Sequence, residues 1–143
     1  STRVTICSRA FYSDQLGPFE KLIHDTFGYD MVLMMNTGAE AVETALKLAR
    51  KWGYEKKGIP KNEAVILACS GNFHGRTLAI IGMSTDPDCT DGFGPFLPSI
   101  GAICPETGKT IRYNCLEDLE TALTAHGHRV AGFLVEPVQG EAG

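Results

Sequence analysis

Three short clusters in this chain carry residue types suited to holding a small charged molecule. They are Asn36-Thr37-Gly38-Ala39-Glu40-Ala41, Asn72-Phe73-His74-Gly75-Arg76-Thr77, and Val135-Glu136-Pro137-Val138-Gln139-Gly140-Glu141-Ala142-Gly143. The first opens a strongly periodic helix. Its leading backbone N–H groups lack intrahelical partners and stand at the positive end of the helix dipole, which suits a phosphate or a carboxylate. The second sets an aromatic ring beside glycine, with an arginine close by. The third offers two carboxylates. Each has a plainer use: Thr37 as a helix cap, Gly38 as an easy turn, Phe73 as core, Glu136 and Glu141 as ordinary loop acids. Together they describe a pocket for an anionic, planar ligand with a nitrogen-bearing substrate beside it.

The elements that must position these clusters follow from the apolar pattern. Met31 to Met35 reads as a short buried strand. The helix behind it runs to about Trp52, with Ala41, Ala45, Leu48, Ala49 and Trp52 on a stripe facing a sheet and Glu43 and Lys47 paired on the wet side. Ala64 to Cys69 is a continuous apolar run between turn signals, the pattern of a strand covered on both faces, and a short helix through Met83 follows. Val130 to Val135 is a third such strand. Gln15 to Phe27 has helical spacing with Gly28 as its stop, and Leu116, Leu119, Ala122 and Leu123 define a further amphipathic helix. This alternation predicts an α/β fold: a mostly parallel sheet with right-handed crossovers and helices on both faces. All three clusters then lie just past the carboxyl ends of predicted strands, where open α/β sheets bind ligands.

The intervening segments are less regular. Lys56 to Asn62 reads as a solvated basic loop. Ser84 to Ser99 is long and rich in Gly, Pro and Asp, with Phe93 and Phe96 either exposed as an interface or tucked onto their own domain. Ile100 to Tyr113 reads as a hairpin excursion. His126 and His128 flank Gly127 in a predicted solvated loop, with no carboxylate or thiol nearby in sequence to complete a metal site.

Bulk properties narrow the function classes. At 143 residues with a net charge of -4, the chain has the length of one ordinary domain and no basic footprint for nucleic acid or an anionic membrane. No apolar run is long enough to span a bilayer, and the start at Ser1 shows no signal-peptide core. The cysteines (Cys7, Cys69, Cys89, Cys104 and Cys115) are odd in number and include no C-x-x-C pair, which favours a reducing compartment over a zinc site or disulfide framework.

The three clusters resemble those of the class III aminotransferases, enzymes that use pyridoxal phosphate. Leu48 to Tyr54, Ser84-Thr85-Asp86-Pro87 and Asp91 to Phe96 most resemble the ornithine-specific branch of that family. The resemblance implies that Gly38 and Ala39, with Thr37, hold the cofactor phosphate and that Phe73 stacks on the pyridine ring. It implies that Arg76 grips the α-carboxylate of ornithine, a task suited to a bidentate guanidinium, and so presents the distal δ-amino group. Glu136 is implied in the polar network around the cofactor ring. Glu141 resembles a switch residue that pairs with an arginine further along the chain and is released to admit 2-oxoglutarate. His74 stands where some relatives have Trp, a difference on the substrate side, and Gly101 to Arg112 resembles an insertion.

The resemblance also implies what these residues do not contain. The lysine that forms the Schiff base and the aspartate on the pyridine nitrogen belong beyond Gly143, because Lys47 and Lys51 lie on a helix face and Lys21, Lys56, Lys57, Lys61 and Lys109 in surface-like contexts. Residues 1–143 are thus expected to be an incomplete large domain of a fold-type I enzyme, inactive alone, from a homodimer of the mitochondrial matrix or cytosol acting on an amino acid and a 2-oxo acid. Acetylornithine and 4-aminobutyrate aminotransferases are rival assignments. A non-catalytic phosphate or nucleotide-binding module is the alternative of another class, although neither G-x-G-x-x-G nor G-x-x-x-x-G-K-[ST] is present.

Overall fold

A computed structural model describes residues 10–143, so Cys7 and the chain start lie outside the described residues. The chain divides into two compact units, Ser1–Met34 and Met35–Gly143. In the first, helix α1 spans Leu16–Phe27, one residue shorter than its periodicity predicts. It stops where expected: Gly28 adopts φ 77°, a left-handed conformation that favours glycine, and its N–H returns to the His24 carbonyl at 2.8 Å. None of its side chains is buried.

The run Met31 to Met35 is not a strand. Its residues pair with no strand among the described residues, and Met31, Leu33 and Met34 are exposed. An apolar run becomes a strand only where a neighbouring edge takes up its backbone hydrogen bonds, and among the described residues this run pairs with none.

The second unit is built on a parallel three-stranded sheet, in the order β2 (Ile100–Gly101), β1 (Val65–Ala68), β3 (Val130–Leu134). The central strand is buried along its whole length. Its alternating side chains feed two cores, one on each face. Val65 and Leu67 join Cys69, Cys104, Ile111, Ala122 and Val130 beneath helix α5 (Leu116–His126). Ile66 and Ala68 join Leu46, Ile80, Met83 and Ile100 beneath helix α2 (Gly38–Trp52) and the single turn α3 (Leu78–Ile81). Each fully buried Ile or Leu here contributes about 1.5–3 kcal/mol by leaving water. Helices thus cover both faces, as the alternating pattern predicts.

Helix α2 has its predicted limits but presents a different face to the sheet. Ala39, Val42, Leu46 and Ala49 pack on it, whereas Ala41, Ala45, Leu48 and Trp52 are exposed. The cause lies just past the helix, where Gly53 is buried against Ile59 and Ala131 so closely that a Cβ would lie 3.0 Å from the Ala131 Cβ. That approach turns the stripe ending at Gly53 inward. Glu43 does not pair with Lys47; it accepts a hydrogen bond from the Thr77 hydroxyl.

The basic loop is also more structured than its composition predicts. Gly53–Lys57 continues α2 as a π-helical turn, and Lys57 Nζ donates to the carbonyls of Gly127 and Val130, both at 2.7 Å. His126 is not solvated: it ends α5 with 1% exposure, its Nδ1 3.2 Å from Glu106 Oε2 but off the line of a hydrogen bond. Glu106 reaches it from the hairpin excursion, a carboxylate near in space although distant in sequence. That hairpin forms through the Ile103–Thr110 bridge, but its first residues, Ile100 and Gly101, belong to the parallel sheet as β2. A further turn, α4 (Pro87–Thr90), interrupts the long loop, and Phe96 folds back onto Gly82 while Phe93 stays exposed. Among the described residues no helix is long and apolar enough to cross a membrane, and no group of His, Cys, Asp or Glu could hold a metal ion.

Candidate active site

All three sequence clusters meet at the carboxyl end of the sheet in the second unit. Two follow the carboxyl ends of β1 and β3; the third is the start of α2. Because β1 and β3 are adjacent, with Ala68 opposite Leu134, their exit loops are neighbours. Three contacts join them. The Phe73 N–H donates to Glu136 Oε2 at 3.1 Å, Gln139 Nε2 donates to the Ser70 carbonyl at 3.0 Å, and the Gly71 Cα lies under the Gln139 amide.

The loop after β1 also reaches the start of α2. Gly75 has φ 131°, outside the range of L side chains, and a Cβ there would stand 3.4 Å from the Ala39 Cβ and 3.3 Å from Ile80. Glycine at this position therefore permits both the turn and the approach. The Thr77–Glu43 hydrogen bond fixes the same junction from the other side.

At the helix start, Thr37 Oγ1 accepts the Glu40 N–H at 3.1 Å, and Glu40 Oε2 accepts the Asn36 N–H at 3.0 Å, a reciprocal arrangement like a capping box. The plain reading of Thr37 as a cap is correct, and its hydroxyl is engaged. Gly38 and Ala39, as the first residues of α2, have N–H groups with no intrahelical acceptor, and the space where a Cβ on Gly38 would lie is open. An anionic group fits this cradle.

Phe73 is 38% exposed, and the Arg76 guanidinium carbon lies 5.6 Å from its ring centroid, within cation–π range. Arg76 is exposed and free of ion pairs among the described residues. It lines a cavity of about 290 Å³ with Leu78, Ile81, Asp88, Cys89 and Phe93, an apolar wall with a cation at one side. Half-buried His74 has no partner for its buried Nε2 among the described residues. Burial pushes its imidazole below the ordinary value, opposed in part by the Glu136 carboxylate. Glu141 is exposed and forms no ion pair with a described residue. Cys89 is not an activated thiol: its hydrogen bond to Asp86 raises its pKa first, with burial and the Asp86 charge adding to the effect.

Several further residues build the site by bonding to its backbone, a role that their side-chain types do not signal in sequence. Buried Asn72 donates from Nδ2 to the carbonyls of Cys69 at 2.6 Å and Met83 at 2.7 Å, pinning the first loop across the end of α3. Thr85 Oγ1 accepts the Gly71 N–H at 2.9 Å. Tyr113 donates its hydroxyl to the carbonyls of Glu136 and Pro137. All of these address backbone groups, so no pattern of side-chain types announces them.

The family model described as aminotransferase class-III matches residues 1–143. Ornithine aminotransferase of Schizosaccharomyces pombe is 60% identical over 141 residues, which cover 99% of this chain and 32% of that protein. The crystal structure of ornithine aminotransferase from Toxoplasma gondii superposes with a TM-score of 0.87 at 46% identity, over 99% of this chain and 31% of that one. Acetylornithine aminotransferase from Elizabethkingia anophelis superposes with a TM-score of 0.70 at 51% identity, over 96% of this chain and 30% of that one. The chain spans about a third of the length of these relatives.

Proposed function

The chain belongs to the class-III aminotransferases, and from that premise we propose that it is part of the cofactor-binding large domain of an ornithine aminotransferase. The whole protein would transfer the δ-amino group of L-ornithine to 2-oxoglutarate, giving glutamate 5-semialdehyde and glutamate. One observation carries this reading: the Phe73 amide on Glu136 and the Gly75 approach to Ala39 bring an anion cradle, an aromatic face, a free guanidinium and a carboxylate to one place.

The residues fit pyridoxal phosphate. The open N–H groups of Gly38 and Ala39 would hold its phosphate, Phe73 would lie against its ring, and the unpartnered His74 Nε2 offers a further polar contact. When bound, the cofactor supplies an electron sink for the carbon that bears the amine. Arg76 would hold the substrate's α-carboxylate by a bidentate grip, so that the distal amine and not the α-amine faces the reacting carbon. Glu136, fixed by the Phe73 amide, sets the local negative charge. Glu141, exposed at the end of the third cluster, would take a cation from elsewhere in the protein and release it when the second substrate enters. No described lysine stands at the end of a strand in this site, so the reading assigns the covalent lysine, the aspartate on the pyridine nitrogen and the small domain to other parts of the whole protein. A homodimer is part of the same reading, supported by the apolar face of α2 left uncovered at Ala41, Ala45, Leu48 and Trp52.

The test is an absorbance spectrum of the full-length protein with pyridoxal phosphate, recorded before and after L-ornithine and, separately, N-acetylornithine. A visible cofactor band lost on adding ornithine is the expected result. Faster loss with N-acetylornithine would move the assignment to the acetylornithine branch. A protein that stays colourless would favour a non-catalytic phosphate-binding module.

A further inference from the structure

We propose that Tyr113 is a positioning residue for Glu136, holding the backbone of the loop after β3 so that the Glu136 carboxylate stays on the Phe73 amide. The inference rests on the aminotransferase reading for its catalytic consequence but not for its geometry.

The Tyr113 hydroxyl donates its one proton, shared, to the carbonyls of Glu136 at 3.1 Å and Pro137 at 3.2 Å. Pro137 has no N–H and cannot steady this stretch through a backbone donor of its own. Glu136 and Pro137 leave the sheet just as β3 ends, so their carbonyls need a donor from outside. Tyr113 comes from the hairpin exit, where its ring packs against the core formed by Val65, Leu67 and Ile111. Packing alone requires only the ring, and a phenylalanine would fill the same space. The hydroxyl is the part that reaches the loop.

The same short segment also anchors the other site loop, because the Ile111 carbonyl accepts the Ser70 N–H at 2.8 Å. Ser70 is in turn held by Gln139 from the loop after β3. The excursion between β2 and α5 thus supports both loops from behind the site. Glu136 is the member whose place matters most: it receives the Phe73 amide, and its charge acts on His74. A shift of its backbone would move the ring face and the charge together.

The experiment compares wild type, Tyr113→Phe, Glu136→Gln and the double variant in the full-length protein with pyridoxal phosphate and L-ornithine. Tyr113→Phe should keep full cofactor occupancy and a Tm within about 4 °C of wild type. It should lose about tenfold in kcat with KM little changed, the change expected on losing one shared, partly exposed hydrogen bond that holds a reacting geometry. The Phe73 amide should exchange its hydrogen faster, and the double variant should be no slower than Glu136→Gln alone. A Tyr113→Phe protein with wild-type kcat and wild-type exchange at Phe73 would overturn the proposal. So would losses that multiply fully in the double variant, or a Tyr113→Phe protein that fails to fold, since the hydroxyl would then serve stability alone. Should wild type itself ignore ornithine, the functional reading fails, and exchange at Phe73 still decides the role of Tyr113.

Discussion

Asp118 shows what single residues do here beyond the site. Standing in the first turn of α5, it accepts Arg112 Nε at 2.6 Å and Nη2 at 3.1 Å, together with the Arg112 backbone N–H, closing the helix start onto the hairpin exit. The Arg112 side-chain hydrogen bond first, then its backbone N–H, hold the Asp118 carboxyl well below the usual carboxylate range. A depressed folded-state pKa means stability present above the unfolded value, near pH 4, and lost as the pH falls further. Wild type should therefore exceed Asp118→Asn in urea midpoint at neutral pH, with the gap closing below about pH 4. A gap unchanged by acid would refute the ion pair's contribution. The gap should be small, since the Arg112 side chain is 69% exposed and screened by solvent. Tyr113 was not legible as a partner because its hydroxyl bonds to carbonyls brought near only by the tertiary fold, and Asp118 and Asn72 because their bonds to nearby residues depend on local turns that side-chain types do not announce. Gly38, Phe73 and Arg76 drew notice because their types alone suggest chemistry.

For the elements, periodicity located segments better than it oriented them. The extent of α2 was readable, its end near Trp52 included, yet two apolar stripes fit its sequence, one through Ala41, Ala45, Leu48 and Trp52 and another through Ala39, Val42 and Leu46. What separates them is Gly53, whose missing side chain lets the helix end sit on β3. Gly53→Ala should gain about 1 kcal/mol in helix propensity and lose about 1–3 kcal/mol to overpacking against Ala131. The steric loss should win, lowering the urea midpoint; a raised midpoint would show that β3 yields to the added methyl. Met31 to Met35 failed for the complementary reason: β1 and β3 take up each other's backbone groups, and that run pairs with no strand among the described residues. The hairpin was legible from its turn residues, but two residues of β2 are too few to signal a parallel strand. His126 shows the limit of composition, since its surroundings polled by sequence are polar and its position in space is buried.

Across the second unit as a whole, the three-stranded sheet gathers its chemistry at the carboxyl end of the strands and its fastening at the opposite end. Lys57 is that fastening: from the turn after α2 it reaches residues about seventy positions away, bonding to the carbonyls of Gly127 and Val130 where α5 gives way to β3. The consequence is a difference in chemical reactivity between adjacent lysines. An amine-acylating reagent should mark Lys56, which has no such partners among the described residues, well ahead of Lys57, whose ammonium is held by two carbonyls and must first let go of them. Trypsin should likewise cut after Lys56 and spare Lys57 in the native protein. Equal labelling of the two would mean that the junction opens freely. A peptide map of the labelled protein thus reads, from one pair of neighbours, whether the end of the sheet remote from the site is closed.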